Sequence, residues 1–184
     1  NWIQKGQDID GEAADDRSGI VALSPDGLTL AIGAASNDGN GNDAGHVRIY
    51  EWNGSTWLQK GVDIDGEAAS DGSGTSVSLS SNGSIVAIGA DYNLGNGDKS
   101  GHVRIYEWNG STWLQKGNDI DGEAEGDYCG NSISLSSDGS IVAIGATGNN
   151  GNGDGSGHVR IYEWNGSTWV QKGLDIDGEA ADDY

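Results

Sequence analysis

The chain has 184 residues and a formal net charge of −20 at pH 7, from 29 acidic residues against 9 lysines and arginines. This charge excludes the basic surface that nucleic-acid binding requires, and it opposes binding to anionic membranes. No apolar run approaches the ~18 residues of a membrane span, so we expect no membrane insertion. Thirty-three glycines, one proline and no phenylalanine predict short strands joined by tight turns rather than long helices.

One seventeen-residue sequence, GHVRIYEWNGSTWLQKG, occupies residues 45–61 and recurs at 101–117 and, with one Leu-to-Val difference, at 157–173. The repeat length is 56 residues, and the first copy is one residue shorter between Asp16 and Val21. Internal repetition at a fixed length indicates an architecture of stacked units. We predict a partial repeat at residues 1–16, followed by complete units at 17–72, 73–128 and 129–184.

The chain begins with Trp2 to Lys5, which matches the last strand of each later unit. In the second unit, apolar and hydroxyl residues alternate first, as on a strand with one packed face. Two Asn-Gly turns and a long Gly/Asn loop then separate three further apolar segments. The four predicted strands of this unit are residues 76–80, 85–90, 103–108 and 112–116.

Four strands in about 56 residues, repeated in tandem, are typical of a β-propeller. We therefore predict an all-β fold of tandem four-stranded antiparallel blades, with three blades and one extra N-terminal strand. Three blades cannot close into a ring, because propellers need about four to eight. Each end then presents an unpartnered blade face, which predicts either self-association into a ring or filament or membership of a longer array.

An acidic segment follows the fourth strand of each unit and carries carboxylates at its positions 1, 3, 5 and 9. Carboxylate oxygens at this spacing favour a hard cation, which predicts Ca²⁺. The alternative is a solvated turn in which Asp side chains cap backbone N–H groups. The candidate ligands are Asp8, Asp10, Glu12 and Asp16, then Asp63, Asp65, Glu67 and Asp71, then Asp119, Asp121, Glu123 and Asp127, and finally Asp175, Asp177, Glu179 and Asp183.

Three segments of the second unit, in order, resemble the FG-GAP repeat of integrin-α-type propellers. They are Asp71-Gly72-Ser73-Gly74-Thr75-Ser76-Val77, then Val86-Ala87-Ile88-Gly89-Ala90, then Gly101-His102-Val103-Arg104-Ile105-Tyr106. Small residues stand where that family has Phe, at Ser18, Ser73 and Cys129. The resemblance covers all three units and implies propeller blades that serve adhesion and ligand display.

Four Asn-Gly-Ser sequences match the N-glycosylation acceptor, at Asn53, Asn82, Asn109 and Asn165. The same letters also suit a tight turn, so turn chemistry alone is the alternative explanation. The single Cys129 is expected to fill a packing position. The recurring His46, His102 and His158 lie at the start of a strand, and we interpret them as packed or hydrogen-bonded residues.

No catalytic motif is present, and paired acids recur in every unit instead of forming one asymmetric pocket, so we predict that the chain is not an enzyme. Our leading hypothesis is a secreted or cell-surface structural or adhesive protein that binds copies of itself, with Ca²⁺ stiffening its loops. The alternative hypothesis is a carbohydrate- or protein-binding propeller, whose partners are cell-surface glycans or proteins.

Overall fold

The computed structural model describes residues 1–181, and these form three sheets of five strands each. The first sheet contains β1 (Ser18–Leu23), β2 (Thr29–Ala34), β3 (His46–Trp52), β4 (Trp57–Gln59) and β5 (Ile64–Asp65). The second contains β6 (Ser76–Leu79), β7 (Ile85–Ala90), β8 (His102–Trp108), β9 (Trp113–Gln115) and β10 (Ile120–Asp121). The third contains β11 (Cys129–Leu135), β12 (Ile141–Ala146), β13 (His158–Trp164), β14 (Trp169–Gln171) and β15 (Ile176–Asp177).

Each sheet is an antiparallel meander, which confirms the predicted all-β fold of tandem blades. Its outer edge consists of two short strands that pair with opposite ends of the same neighbour. In the first blade, Trp57 of β4 is opposite Trp52, and Ile64 of β5 is opposite Val47. Residues 60–63 form a bulge between these two pairings, because these four residues are opposite only Arg48 and Ile49 of β3.

Apolar residues pack mainly between blades. One core joins Ala31, Val47 and Ile49 of the first blade to Val86 and Ile88 of the second. A matching core joins the second blade to the third. Alternation along each strand sends its apolar residues to the two faces of the sheet, so a central blade is buried on both faces.

The extra N-terminal strand is the one element of the predicted fold that the structure does not contain. Residues 1–5 form no strand, and Trp2 is fully exposed. A strand needs a hydrogen-bonding neighbour, and within residues 1–181 no free strand lies beside this segment. The three sheets also do not close into a ring.

Within residues 1–181 there is no helix that could cross a membrane.

Glycines let the sheets approach each other closely. A Cβ atom at Gly33 would overlap the carbonyl oxygen of Gly74 in the next blade, and one at Gly89 would overlap that of Gly130. Gly145 is the equivalent residue of the third blade, and a Cβ there would meet only Ser132 of its own sheet. The first two glycines therefore fix the distance between blades.

We expect Gly89→Ala to destabilise the protein more than Gly145→Ala, by about 1–3 kcal/mol, because the added methyl group forces two backbones apart. Urea unfolding followed by tryptophan fluorescence measures the difference. Equal losses for the two variants would contradict close sheet contact as the cause.

Candidate functional site

A histidine begins the third long strand of every blade, at His46, His102 and His158. All three are buried, with 1 to 5% of their surface exposed. They lie on the sheet face that points toward the preceding repeat, together with the arginine two residues later in each strand. Each histidine therefore meets side chains from two repeats.

Each histidine is adjacent to one carboxylate of its own repeat and one of the preceding repeat. We call these groups the interblade triads, and their nitrogen and oxygen atoms lie within 4.8 Å of one another. In the first, Nδ1 of His46 is 3.7 Å from Oδ2 of Asp63 and 3.9 Å from Oε2 of Glu12. The three triads are Glu12, His46 and Asp63; Glu67, His102 and Asp119; and Glu123, His158 and Asp175.

The glutamate of each triad is held by an arginine of the following blade. Nη1 of Arg104 lies 3.5 Å from Oε1 of Glu67, and Nη2 of Arg104 donates a 2.7 Å hydrogen bond to the backbone oxygen of Asp65. The other two arginines, Arg48 and Arg160, make the same pair of contacts. This clamp attaches the acidic segment of one repeat to the next blade.

The aspartate of each triad lies at the bulge in the outer edge of its own blade. Gln59 donates a hydrogen bond to Oδ1 of Asp63, so that Oδ2 faces His46. Gln115 and Gln171 hold Asp119 and Asp175 in the same way. The broken outer strand therefore positions this carboxylate.

Burial lowers the pKa of His102, and the Arg104 guanidinium acts in the same direction, against the opposing charges of Asp119 and Glu67. The neutral imidazole is therefore the favoured form near pH 7. Within the described chain, Nε2 of His46 and His102 and both ring nitrogens of His158 have no hydrogen-bond partner. Buried polar atoms in proteins nearly always have a hydrogen-bond partner, so these unpaired ring nitrogens are unusual.

The four carboxylates predicted as one Ca²⁺ site do not meet at a common point in any described segment. In the second segment, Asp63 faces His46, Glu67 reaches Arg104, and Asp71 is buried and accepts a hydrogen bond from the backbone of Ala68. The third segment follows the same pattern, with Asp119 facing His102 and Glu123 reaching Arg160. Asp16 and Asp127 cap their turns like Asp71. Asp183 lies outside the described residues. The structure provides clusters that could hold a metal, and Ca²⁺ itself stays a prediction.

The triads follow a regular spacing in the sequence. Each aspartate follows its histidine by 17 residues, and each glutamate precedes it by 34 or 35. This regularity does not show that the three residues meet, because the contact depends on how neighbouring blades stack.

The predicted glycosylation residues lie at exposed turns. Oδ1 of Asn53 accepts hydrogen bonds from the backbones of Ser55 and Thr56, and Asn109 and Asn165 make the equivalent bonds. Asn82 accepts from Ser84 in a similar turn. Turn formation therefore explains these residues, and glycosylation stays a prediction. Cys129 is a free, fully buried thiol, as its predicted packing position requires.

A second candidate site breaks the symmetry of the repeats. A cavity of about 570 Å³ lies between the first two blades, and Arg17, Asp43, Thr75, Asp91 and Tyr92 are among its lining residues. Asp91 is 3% exposed and accepts a 3.1 Å hydrogen bond from Asn131 at Oδ2, while its Oδ1 has no partner among the described residues. Burial raises the pKa of Asp91. The other two blades have Ala35 and Thr147 at this position.

No family model matches the sequence, and no curated protein matches it. Solved structures of similar fold include the following two. One is a putative 6-phosphogluconolactonase from Bacteroides uniformis, with a TM-score of 0.59 and 15% identity, covering 89% of this chain and 42% of that chain. The other is hydrazine synthase from Kuenenia stuttgartiensis, with a TM-score of 0.53 and 13% identity, covering 87% and 37%. The chain thus spans less than half of either protein, and the likeness shows a β-propeller-like fold.

The prediction that the chain is not an enzyme is wrong, because it excluded catalysis. A protein of similar fold is described as a putative 6-phosphogluconolactonase, so blades of this kind are compatible with catalysis. The prediction assumed that no acidic group departs from the repeat pattern. Asp91 does depart from it, with a raised pKa and a cavity beside it.

We expect Asp91→Asn to change the pH dependence of stability. A carboxyl group whose pKa is raised on folding destabilises the native state once pH exceeds its unfolded pKa of about 3.9. The stability of the wild type relative to Asp91→Asn should therefore fall as pH rises from 3 to 7. Urea unfolding across this range measures it, and a difference that is constant with pH would contradict the buried, raised carboxyl group.

Proposed function

We propose that this chain is a propeller-repeat scaffold that associates head to tail, so that the third blade of one copy stacks on the first blade of another. The observation that carries the proposal is the open face of the third blade. Val159 is 37% exposed there, whereas its equivalents Val47 and Val103 are fully buried against the next blade. Ile176 is 58% exposed, whereas Ile64 is 6% exposed.

The first blade offers the complementary surface. Val21 and Leu23 of β1 are 62% and 57% exposed. Their equivalents in the second blade, Val77 and Leu79, pack against the core between the first two blades. The two ends of the molecule are therefore copies of the two halves of an interface that already forms inside it.

Residues 1–16 cover the outer part of this first-blade surface. Trp57 Nε1 donates a 2.9 Å hydrogen bond to the backbone oxygen of Lys5, and Arg48 donates to that of Asp10. Trp113 and Arg104 make the same bonds to Lys60 and Asp65, at the outer edge of the first blade. Residues 1–16 thus occupy the position that the acidic segment of a preceding blade takes.

Association requires residues 169–181 of one copy to replace residues 1–16 of the other, because both fit the same position. The two segments are nearly identical, differing at Ile3 against Val170 and at Gln7 against Leu174. Residues 169–177 are also paired with β13, whereas residues 1–16 form no strand. The replacing segment therefore brings the apolar face of its blade with it, which favours the exchange.

The resemblance to FG-GAP repeats supports an adhesive role for such a scaffold. We further propose an extracellular or cell-surface location, which the acceptor asparagines at exposed turns support. Ca²⁺ is proposed as a stabiliser of the acidic segments, and adding a chelator during the association measurement tests it directly.

We expect Val159→Asp to weaken head-to-tail association by at least about tenfold, because burying a charge in place of a valine opposes stacking. Light scattering over a concentration series measures the association constant. Val170→Asp is the matched control: Val170 lies on the same blade at 48% exposure, and its equivalents Leu58 and Leu114 are just as exposed beside a neighbouring blade.

A chain that begins at residue 17 should associate at lower concentration, since nothing then competes for the first-blade surface. A wild-type chain that stays monomeric at all concentrations would overturn the proposal. It would favour the carbohydrate- or protein-binding alternative, and a glycan screen would follow.

A further inference from the structure

We propose that each interblade triad binds one divalent transition-metal ion of the Zn²⁺ type, so that the chain carries three equivalent metal sites. This inference does not depend on association between copies, because each triad lies inside one chain. Its carboxylates are among the predicted Ca²⁺ ligands, but each triad pairs carboxylates of two repeats and adds a histidine.

The donor atoms of each triad suit such an ion. One imidazole nitrogen and two carboxylate oxygens are common Zn²⁺ ligands, and three protein ligands with an open position for water form a recurrent arrangement. Ca²⁺ instead takes six to eight oxygens, more than two carboxylates supply. The mixture of nitrogen and oxygen donors therefore favours a transition metal.

The distances within the triads fit a shared ion better than direct hydrogen bonds. Nδ1 of each histidine lies 3.7 to 3.9 Å from the nearest aspartate oxygen, which is beyond hydrogen-bond range. Two ligand atoms at about 2.1 Å from one tetrahedral ion are separated by roughly 3.4 Å. The triad atoms lie within 4.8 Å of one another, so side-chain movements of about 1 Å would bring them to that spacing.

The buried imidazole of His158 is a second, independent observation. His158 is 95% buried, and its Nδ1 faces Asp175 at 3.9 Å without a hydrogen-bond partner among the described residues. An unpaired nitrogen in a buried position, directed at carboxylates, is the state in which an imidazole can accept a metal ion.

The surrounding residues orient the ligands. In the first triad, Oε1 of Glu12 faces Arg48 at 3.8 Å, while Oε2 faces His46. Gln59 similarly holds one oxygen of Asp63 and leaves the other toward the site. Each carboxylate thus has one oxygen held by a neighbouring side chain and one oxygen free for the ion. Neighbouring side chains orient the ligands of known metal sites in the same way.

Metal binding would join successive repeats, because the glutamate belongs to one repeat and the histidine and aspartate to the next. We expect metal-free protein to bind three Zn²⁺ per chain and to unfold at a higher temperature when loaded. Isothermal titration calorimetry with Zn²⁺ measures the stoichiometry. The titration is done in physiological salt with an excess of Mg²⁺, which suppresses weak binding of Zn²⁺ to the acidic surface.

The test variant is Glu67→Gln with Asp119→Asn, which removes both carboxylates of the middle triad and keeps its shape. It should bind two Zn²⁺. Glu107→Gln is the matched control, since Glu107 lies in the same blade, pairs with Lys116 and belongs to no triad, and it should bind three. Co²⁺ absorption gives a second readout, and its intensity should fall by a third in the test variant only.

The proposal is overturned if the wild type binds fewer than three Zn²⁺ above the Mg²⁺ background, or if the test variant and the control bind equal numbers. Displacement of Zn²⁺ by an equal concentration of Ca²⁺ would overturn the assignment to a transition metal. Circular dichroism of the test variant verifies that a lost ion reflects lost ligands and not an unfolded chain.

Discussion

A blade of this protein can bury its apolar faces only against another blade. Ala31, Val47 and Ile49 form one half of a core whose other half belongs to the next sheet. Glycines at the contact let the two sheets approach to backbone distance. The lateral interface, and not the single sheet, is therefore the unit of stability, as in other repeat proteins.

The broken outer strand adds polar contacts to this apolar interface. Because β4 and β5 pair with opposite ends of β3, the four residues between them form a bulge in the ladder. In that bulge, Lys60 accepts a hydrogen bond from Trp113 of the next blade, while Asp63 faces back to His46. The bulge in each outer edge thus makes contacts with two blades. The candidate metal sites and the end faces both depend on these contacts.

Local pattern predicted the fold well and the site poorly. Two-residue alternation and Asn-Gly turns set the strands of each blade, since these are short-range preferences. The N-terminal strand was predicted wrongly, because a strand also needs a neighbour to pair with. The Ca²⁺ prediction requires an acidic segment to wrap around an ion, but residues 64–65 are extended in β5, and residues two apart in an extended backbone lie about 6.6 Å from each other along the strand. The triads could not be predicted from the sequence because Glu67 and His102 meet only when two blades stack.

The fixed offset between interface partners also bears on how such a chain changes its length. Each contact between blades joins a residue of one repeat to a residue at a fixed offset in the next, such as the 53 residues from Lys60 to Trp113 and the 39 from Asp65 to Arg104. A genetic crossover between misaligned copies that adds or removes 56 residues therefore restores every interface, wherever in the repeat it falls. The one-residue deletion between Asp16 and Val21 falls at the irregularity of β1, where the register shifts between Ser18 and Ile20, so the pairing of residues 20–23 with β2 is kept. The number of repeats can therefore change during evolution while the geometry of each interface between blades stays the same.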